Sequence, residues 1–251
     1  FIRKTKQLIF LKVMKTIKQF TIYTMLLFAA TSCIEEFNIR GNGVEATETR
    51  PVSIFSKVRS SGDFDIQITK GDEFEILVTA EENILPYIET TVSNNTLHID
   101  IKGVHNVRNH LPMNVFITMP DLASVKQSGS GSIVTDHFSG DNMELALSGS
   151  GSVSTSVDVN YIESNISGSG WMIITGDANE SDFSISGSGN IDSSELTVDY
   201  CSANISGSGN MQVDAVKTIK ARISGSGNIY YTGNPVTELN ISGSGKVIRR
   251  N

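Results

Sequence analysis

The 251-residue chain carries 27 acidic and 20 basic side chains, a formal charge of -7, 39% hydrophobic residues and two cysteines. The charge is uneven: residues 1–32 hold six lysines and arginines and no acid, leaving 14 basic against 27 acidic residues, a net of -13, for the remainder. So acidic a body would repel phosphate backbones, which proteins grip through clustered Lys and Arg, so no nucleic-acid partner is expected; two cysteines are too few for a disulfide framework or a four-cysteine zinc site.

The stretch Met14 to Cys33 reads MKTIKQFTIYTMLLFAATSC: a basic start, an apolar run from Phe20 to Ala30, then small residues before a cysteine. This is secretory-signal anatomy, and the apolar run falls short of the roughly 20 residues a membrane span needs. Met14 is read as the start and residues 1–13 as an upstream extension. Ala30-Thr31-Ser32-Cys33 resembles the lipobox of Bacteroidota-type lipoproteins, which implies lipidation at Cys33 and a membrane partner through that anchor. Glu35 and Glu36 resemble the acidic tag of such lipoproteins carried to the outer face of the outer membrane; the periplasmic face is the alternative. Residues 33–51, polar and without a sustained period, are expected to be a flexible tether.

From residue 52 the pattern is β throughout. Ser56–Ser60, Phe64–Thr69, Phe74–Thr79, Thr96–Ile101 and Asn114–Met119 are β-prone runs separated by turn signals such as Ser61-Gly62-Asp63 and Ser93-Asn94-Asn95, with a helical turn expected within Ala80–Tyr87. Residues 52–127 therefore form a β-rich, antiparallel lead-in. No linker separates it from residue 128 onward, so it is expected to cap or continue the C-terminal half.

Residues 128–251 are a repeat. Ser-Gly-Ser-Gly begins at Ser128, Ser148, Ser167, Ser186, Ser206, Ser224 and Ser242, at intervals of 18 to 20 residues. Five residues after each first serine stand Ile133, Val153, Met172, Ile191, Met211, Ile229 and Val247; one before stand Gln127, Leu147, Ile166, Ile185, Ile205, Ile223 and Ile241. The columns between are polar, and period-2 alternation on both sides of a glycine turn marks strands with one buried face. A unit of about 19 residues cannot bury that face alone, so it must stack on its neighbours. The predicted fold is all-β: the lead-in runs into a β-solenoid of about seven coils, with Ser-Gly-Ser-Gly as corner and Asn190, Asn210 and Asn228 as an outward hydrogen-bonding ladder.

The lead-in SKVRSSGDFDIQITKGDEFEILVTAEENILPYIETTVSNNTLHIDIKG, together with GSGN at Gly187–Asn190, Gly207–Asn210 and Gly225–Asn228, resembles the putative auto-transporter adhesin, head GIN domain family over about residue 52 to the C-terminus. The resemblance implies a solenoid-like cell-envelope protein and carries no catalytic residues. Ser132, Ser152, Lys246 and Trp171 depart from the family's Asn.

Solenoids host glycan-cleaving enzymes, which need two facing carboxylates. Asp177, Glu180, Asp182, Asp192, Asp199 and Asp214 stand at different offsets in their repeats, so they predict no catalytic pair and the chain is read as no enzyme. Asp192 has Ile173 and Gln212 as column neighbours, which is no calcium repeat; His98, His105, His110 and His137 give no metal set, and no motif asks for a cofactor. Cys201 falls in a core column. The candidate ligand contacts are Trp171, in a polar column, and Tyr230 and Tyr231: exposed aromatics stack on sugar rings or anchor a protein. The reading is a surface binding module for a glycan or protein, with self-association through the solenoid end as the alternative.

Overall fold

The computed structural model describes residues 38–103 and 106–250. The signal segment, Cys33 with its lipobox, the acidic tag and His105 lie outside the described residues.

The strands are β1 (Asn38–Arg40), β2 (Glu45–Thr49), β3 (Lys57–Ser61), β4 (Phe64–Lys70), β5 (Glu75–Glu81), β6 (Ile88–Ser93), β7 (Thr96–Ile101), β8 (Asn106–Arg108), β9 (Met113–Met119) and β10 (Ser124–Gly129). Then come five coil-length strands, β11 (Ser132–Gly149), β12 (Ser152–Gly168), β13 (Trp171–Gly187), β14 (Asn190–Gly207) and β15 (Asn210–Gly225), followed by β16 (Asn228–Thr232), β17 (Val236–Gly243) and β18 (Lys246–Arg249). A 3-10 turn, Leu85–Tyr87, precedes β6.

Consecutive coils pair in parallel with the register the repeat predicts: Ser128 opposite Ser148, then Ser167, Ser186, Ser206, Ser224 and Ser242. Burial alternates along β12 and slips phase between Val159 and Ile162, where the coil bends a second time. Each coil thus contributes to two sheets. One runs β17-β15-β14-β13-β12-β11-β10-β3-β7-β6, and the other passes through the first halves of β15 to β11 into β4, β9, β5 and β2. The apolar columns fill the space between them: Ile133, Val153, Met172, Ile191, Met211 and Ile229 are all nearly solvent-free.

The corner explains the glycines. The first glycine of every Ser-Gly-Ser-Gly has a positive φ, from +119 to +135°, which a Cβ penalises. The second lies so near the coil beneath that a Cβ on Gly209 would collide with the carbonyl oxygen of Gly189. Backbone bonds cross at the same place, for instance from the Ser188 N–H to the Gly168 carbonyl at 2.9 Å.

The lead-in differs from expectation in two respects. Its strands next to the solenoid run parallel, Ser61 pairing with Ser128 and Ile66 with Ile133, so Ser61-Gly62-Asp63-Phe64 is a degenerate corner; Gly62 has φ +130°. Antiparallel pairing appears farther out, in β6 on β7 and in β5 on β9 with β2 on β5. There it closes the stack by giving the outermost coil a covering strand on each sheet. The second difference is in the expected tether: Glu45–Thr49 is β2, and Glu81 fastens this segment down. Its fully covered carboxylate accepts the Gly43 N–H at 2.5 Å, the His110 N–H at 2.8 Å and the Leu111 N–H at 3.4 Å.

Candidate binding face

The asparagine ladder forms on the outer surface of the sheet that begins just after the corners. Asn228 Nδ2 donates to Asn210 Oδ1 at 3.2 Å, Asn210 Nδ2 to Asn190 Oδ1 at 3.2 Å, and the Lys246 N–H to Asn228 Oδ1 at 3.1 Å. One amide per coil, repeating at strand spacing, lets each side chain both donate and accept along the stack.

Trp171 is the next rung, paired with Asn190 and 44% exposed. An indole cannot continue an amide ladder, so the row ends against its ring. Two residues along each strand, and therefore on the same face, runs the row Ile173, Asp192, Gln212, Tyr230. Gln212 Nε2 donates to Asp192 Oδ2 at 3.2 Å, and Arg250 donates from Nη1 to Gln212 Oε1 at 2.5 Å while its guanidinium lies 4.0 Å from the Tyr230 ring centroid. Together these two rows enclose a hollow of about 220 Å³ bounded by Trp171 at one end and Tyr230 with Arg250 at the other. The ends are three coils, roughly 14 Å, apart at about 4.8 Å per strand. An aromatic wall, amides, a carboxylate and a guanidinium in one open hollow can stack on a ring and hydrogen-bond its substituents.

Trp171 and Tyr230 are thus brought together. Tyr231 is not: strand alternation turns it to the other side, in line with Val213, where it packs partly buried against the core. The expectation of a ligand contact at Tyr231 is corrected by the pleat.

Cys201 is 2% exposed, and burial pushes its thiol up to about 11, so it is a core side chain. The acids hold two arrangements that the column reading missed: Glu144, Glu163 and Asp182 stand in register on three successive coils, each four residues before a corner serine, and a second stack lies at the other bend. Asp158 and Asp177 are in register on successive coils, lining a hollow of about 360 Å³ with Asn160 and Asn179. Both stand ten residues after a corner serine, which would have revealed the stack. They are exposed on an open surface, not set opposite each other across a cleft. Asn160 donates to Asp141 at 3.0 Å and Asn179 to Asn160 at 2.8 Å, a second amide ladder at the other bend. Among the described residues no group of three or more His, Cys, Asp or Glu is arranged to hold a metal ion, and no helix is long and apolar enough to cross a membrane.

A third feature lay outside any motif: a hollow of about 330 Å³ beside Tyr161 and Tyr200. Burial, aided by the charges of Asp182, Glu163 and Glu180, raises the Tyr161 phenol above its ordinary range.

Against known proteins, a family model described as putative auto-transporter adhesin, head GIN domain, matches residues 54–235. A crystal structure of a putative adhesin from Bacteroides fragilis is similar over 84% of this chain and 100% of its own, with 25% identity and a TM-score of 0.81. A protein from Parabacteroides distasonis described as a putative lipid binding protein is 26% identical, with a TM-score of 0.75 over 85% of this chain and 100% of its own. A putative adhesin from Parabacteroides merdae, 24% identical, shares the fold with a TM-score of 0.68 over 86% of this chain and 100% of its own. No curated protein matches the chain.

Proposed function

The chain belongs to the putative auto-transporter adhesin, head GIN domain family, and from that premise we propose that it is a non-enzymatic binding module, lipid-anchored at Cys33 on the cell surface, that holds a glycan between Trp171 and Tyr230. The observation that carries the reading is the hollow itself. An exposed indole ends the three-asparagine ladder, with serines at Ser152 and Ser132 on the coils beyond it, and faces a tyrosine–guanidinium stack across the hollow. Trp171→Ala, at an outward position, is expected to lower affinity for a bound glycan about tenfold, since aromatic stacking and the area it buries contribute on the order of 1–2 kcal/mol. The test has two parts. A non-penetrating protease applied to intact cells should remove residues 52–251, and a glycan array probed with wild type and Trp171→Ala should show loss of signal for the variant. Protection of the module on intact cells would sink the surface assignment; equal binding by both proteins would sink the Trp171 site; released cleavage products would sink the non-enzymatic reading.

Self-association is the second reading, favoured by β17. Val236, Leu239 and Ile241 on it are 69%, 50% and 43% exposed, although Ile241 continues the column buried in six earlier strands. Sedimentation across a concentration series tests it: a monomer at all concentrations removes it.

A further inference from the structure

A hollow of about 520 Å³ lies on the other sheet, away from Trp171, and runs beside the corner serines of several coils. Its shape follows from one outward column. Arg59 and Lys126 stand in register on adjacent strands, then the column drops to Ala146, Asn165 and Ser184. Two long cations and then three short side chains leave a trough with a basic head. Along its length the exposed hydroxyls of Ser128, Ser148, Ser167 and Ser186 repeat once per coil.

The two cations are not equivalent. Lys126 is held at 2.5 Å by Glu144, whose carboxyl sits below its ordinary range chiefly through that bond. The Arg59 side chain is exposed and, among the described residues, makes no ion pair or hydrogen bond. Lys57 stands two residues away on the same strand face, so the head of the trough is a basic island on a body with a net charge of -13. The acids of this face nearest the trough form one row, Glu144, Glu163 and Asp182, and each is engaged: Glu144 by Lys126, Glu163 by Asn165 at 2.8 Å and Asp182 by Asn204 at 3.2 Å.

We propose that this trough binds an acidic polysaccharide, with the Arg59 guanidinium gripping a sugar carboxylate and the corner serines hydrogen-bonding the hydroxyls of the succeeding sugar units. A free guanidinium forks onto a carboxylate with two parallel bonds. A row of hydroxyls that both donate and accept, at one fixed interval, suits a chain of polyols. An extended occupant fits because the trough spans four coils; a membrane surface, being flat, cannot enter it. This site is independent of the Trp171 hollow, and either can fail alone.

The experiment titrates the purified full-length chain with an oligogalacturonate, with its neutral methyl-ester form and with phosphatidylglycerol vesicles. Variants are Arg59→Gln, Ala146→Trp, which fills the trough from an outward position, and Trp171→Ala, with thermal melts to show that each folds. Oligogalacturonate binding that weakens with salt, falls about tenfold to a hundredfold in Arg59→Gln and in Ala146→Trp, and persists in Trp171→Ala is the expected result. Equal affinity for the ester, unchanged affinity in Arg59→Gln, no oligogalacturonate binding by wild type, or vesicle binding in its place each overturns the proposal.

Discussion

Glu81→Gln tests how the N-terminal segment is fastened. Glu81 is the carboxylate over which residues 41–43 and 110–111 close; Gly41 approaches it so nearly that a Cβ there would collide with its oxygens. Burial raises the Glu81 pKa, but the N–H groups of His110, Gly43 and Leu111 and the charge of His110 outweigh it, leaving the carboxyl below its ordinary range. Glutamine keeps the shape and one acceptor oxygen, and it turns an amide N–H toward backbone donors. Of the two short bonds, one is then lost from an ionised acceptor, at a cost of about 1.5–3 kcal/mol. The depressed native pKa sets the sign of the pH dependence: the stabilisation is complete above the unfolded pKa and disappears as pH falls through the folded one. Urea unfolding of wild type and Glu81→Gln should therefore give midpoints that differ at pH 7 and converge at acid pH, with Glu45–Thr49 losing amide protection first in the variant. A gap that persists undiminished in acid, or no gap at neutral pH, would refute the assignment of the charge as the fastening element.

Gly207→Ala should destabilise by more than about 2 kcal/mol, because φ is +135° and a Cβ would strike the Gly187 carbonyl, whereas Gly140→Ala, at an open position with ordinary φ, should change stability by less than about 0.5 kcal/mol; equal unfolding midpoints for the two would remove the stacked-corner explanation. Cys201, with its thiol at about 11 and 2% exposed, should resist iodoacetamide at pH 8 until the chain unfolds. Rapid labelling of the native protein, mapped by mass spectrometry, would show that the core column is open there.

The solenoid was legible because its information is local and repeated. Any one Ser-Gly-Ser-Gly with flanking Ile is ambiguous, but seven in near-constant register fix the face, the corner and the parallel pairing together, and the asparagine ladder follows from reading one column. The lead-in was less legible since its partners are distant: Ser61 meets Ser128 and Phe64 meets Met113, pairings that no window of neighbouring residues contains. The same limit hid β2, whose polar Glu45–Thr49 is strand only because β5 offers it an edge. Glu81 reads as one more acid until the loops from residues 43 and 110 are folded onto it. For the candidate sites, Trp171 was visible as a break in a column, whereas Arg59 was not, because its significance depends on lying beside Lys126, 67 positions along the chain.

That difference bears on how such a fold acquires binding function. Inward columns and corner glycines are constrained in every coil, since one altered side chain meets backbone in the coil beneath. Outward columns carry no such constraint: Trp171 stands between Ser152 and Asn190, and Ala146 succeeds a lysine, while the strand pairing behind them keeps its register. A ligand site here is therefore a departure from the repeat on an outer row. The Trp171 and Arg59 hollows are departures of that kind, one aromatic and one cationic. A solenoid with both its repeat restored at residue 171 and Arg59 neutralised should keep its stability within about 0.5 kcal/mol, as expected for exposed positions, while losing both ligands. A loss of stability beyond that would mean that the departures serve the fold and not binding.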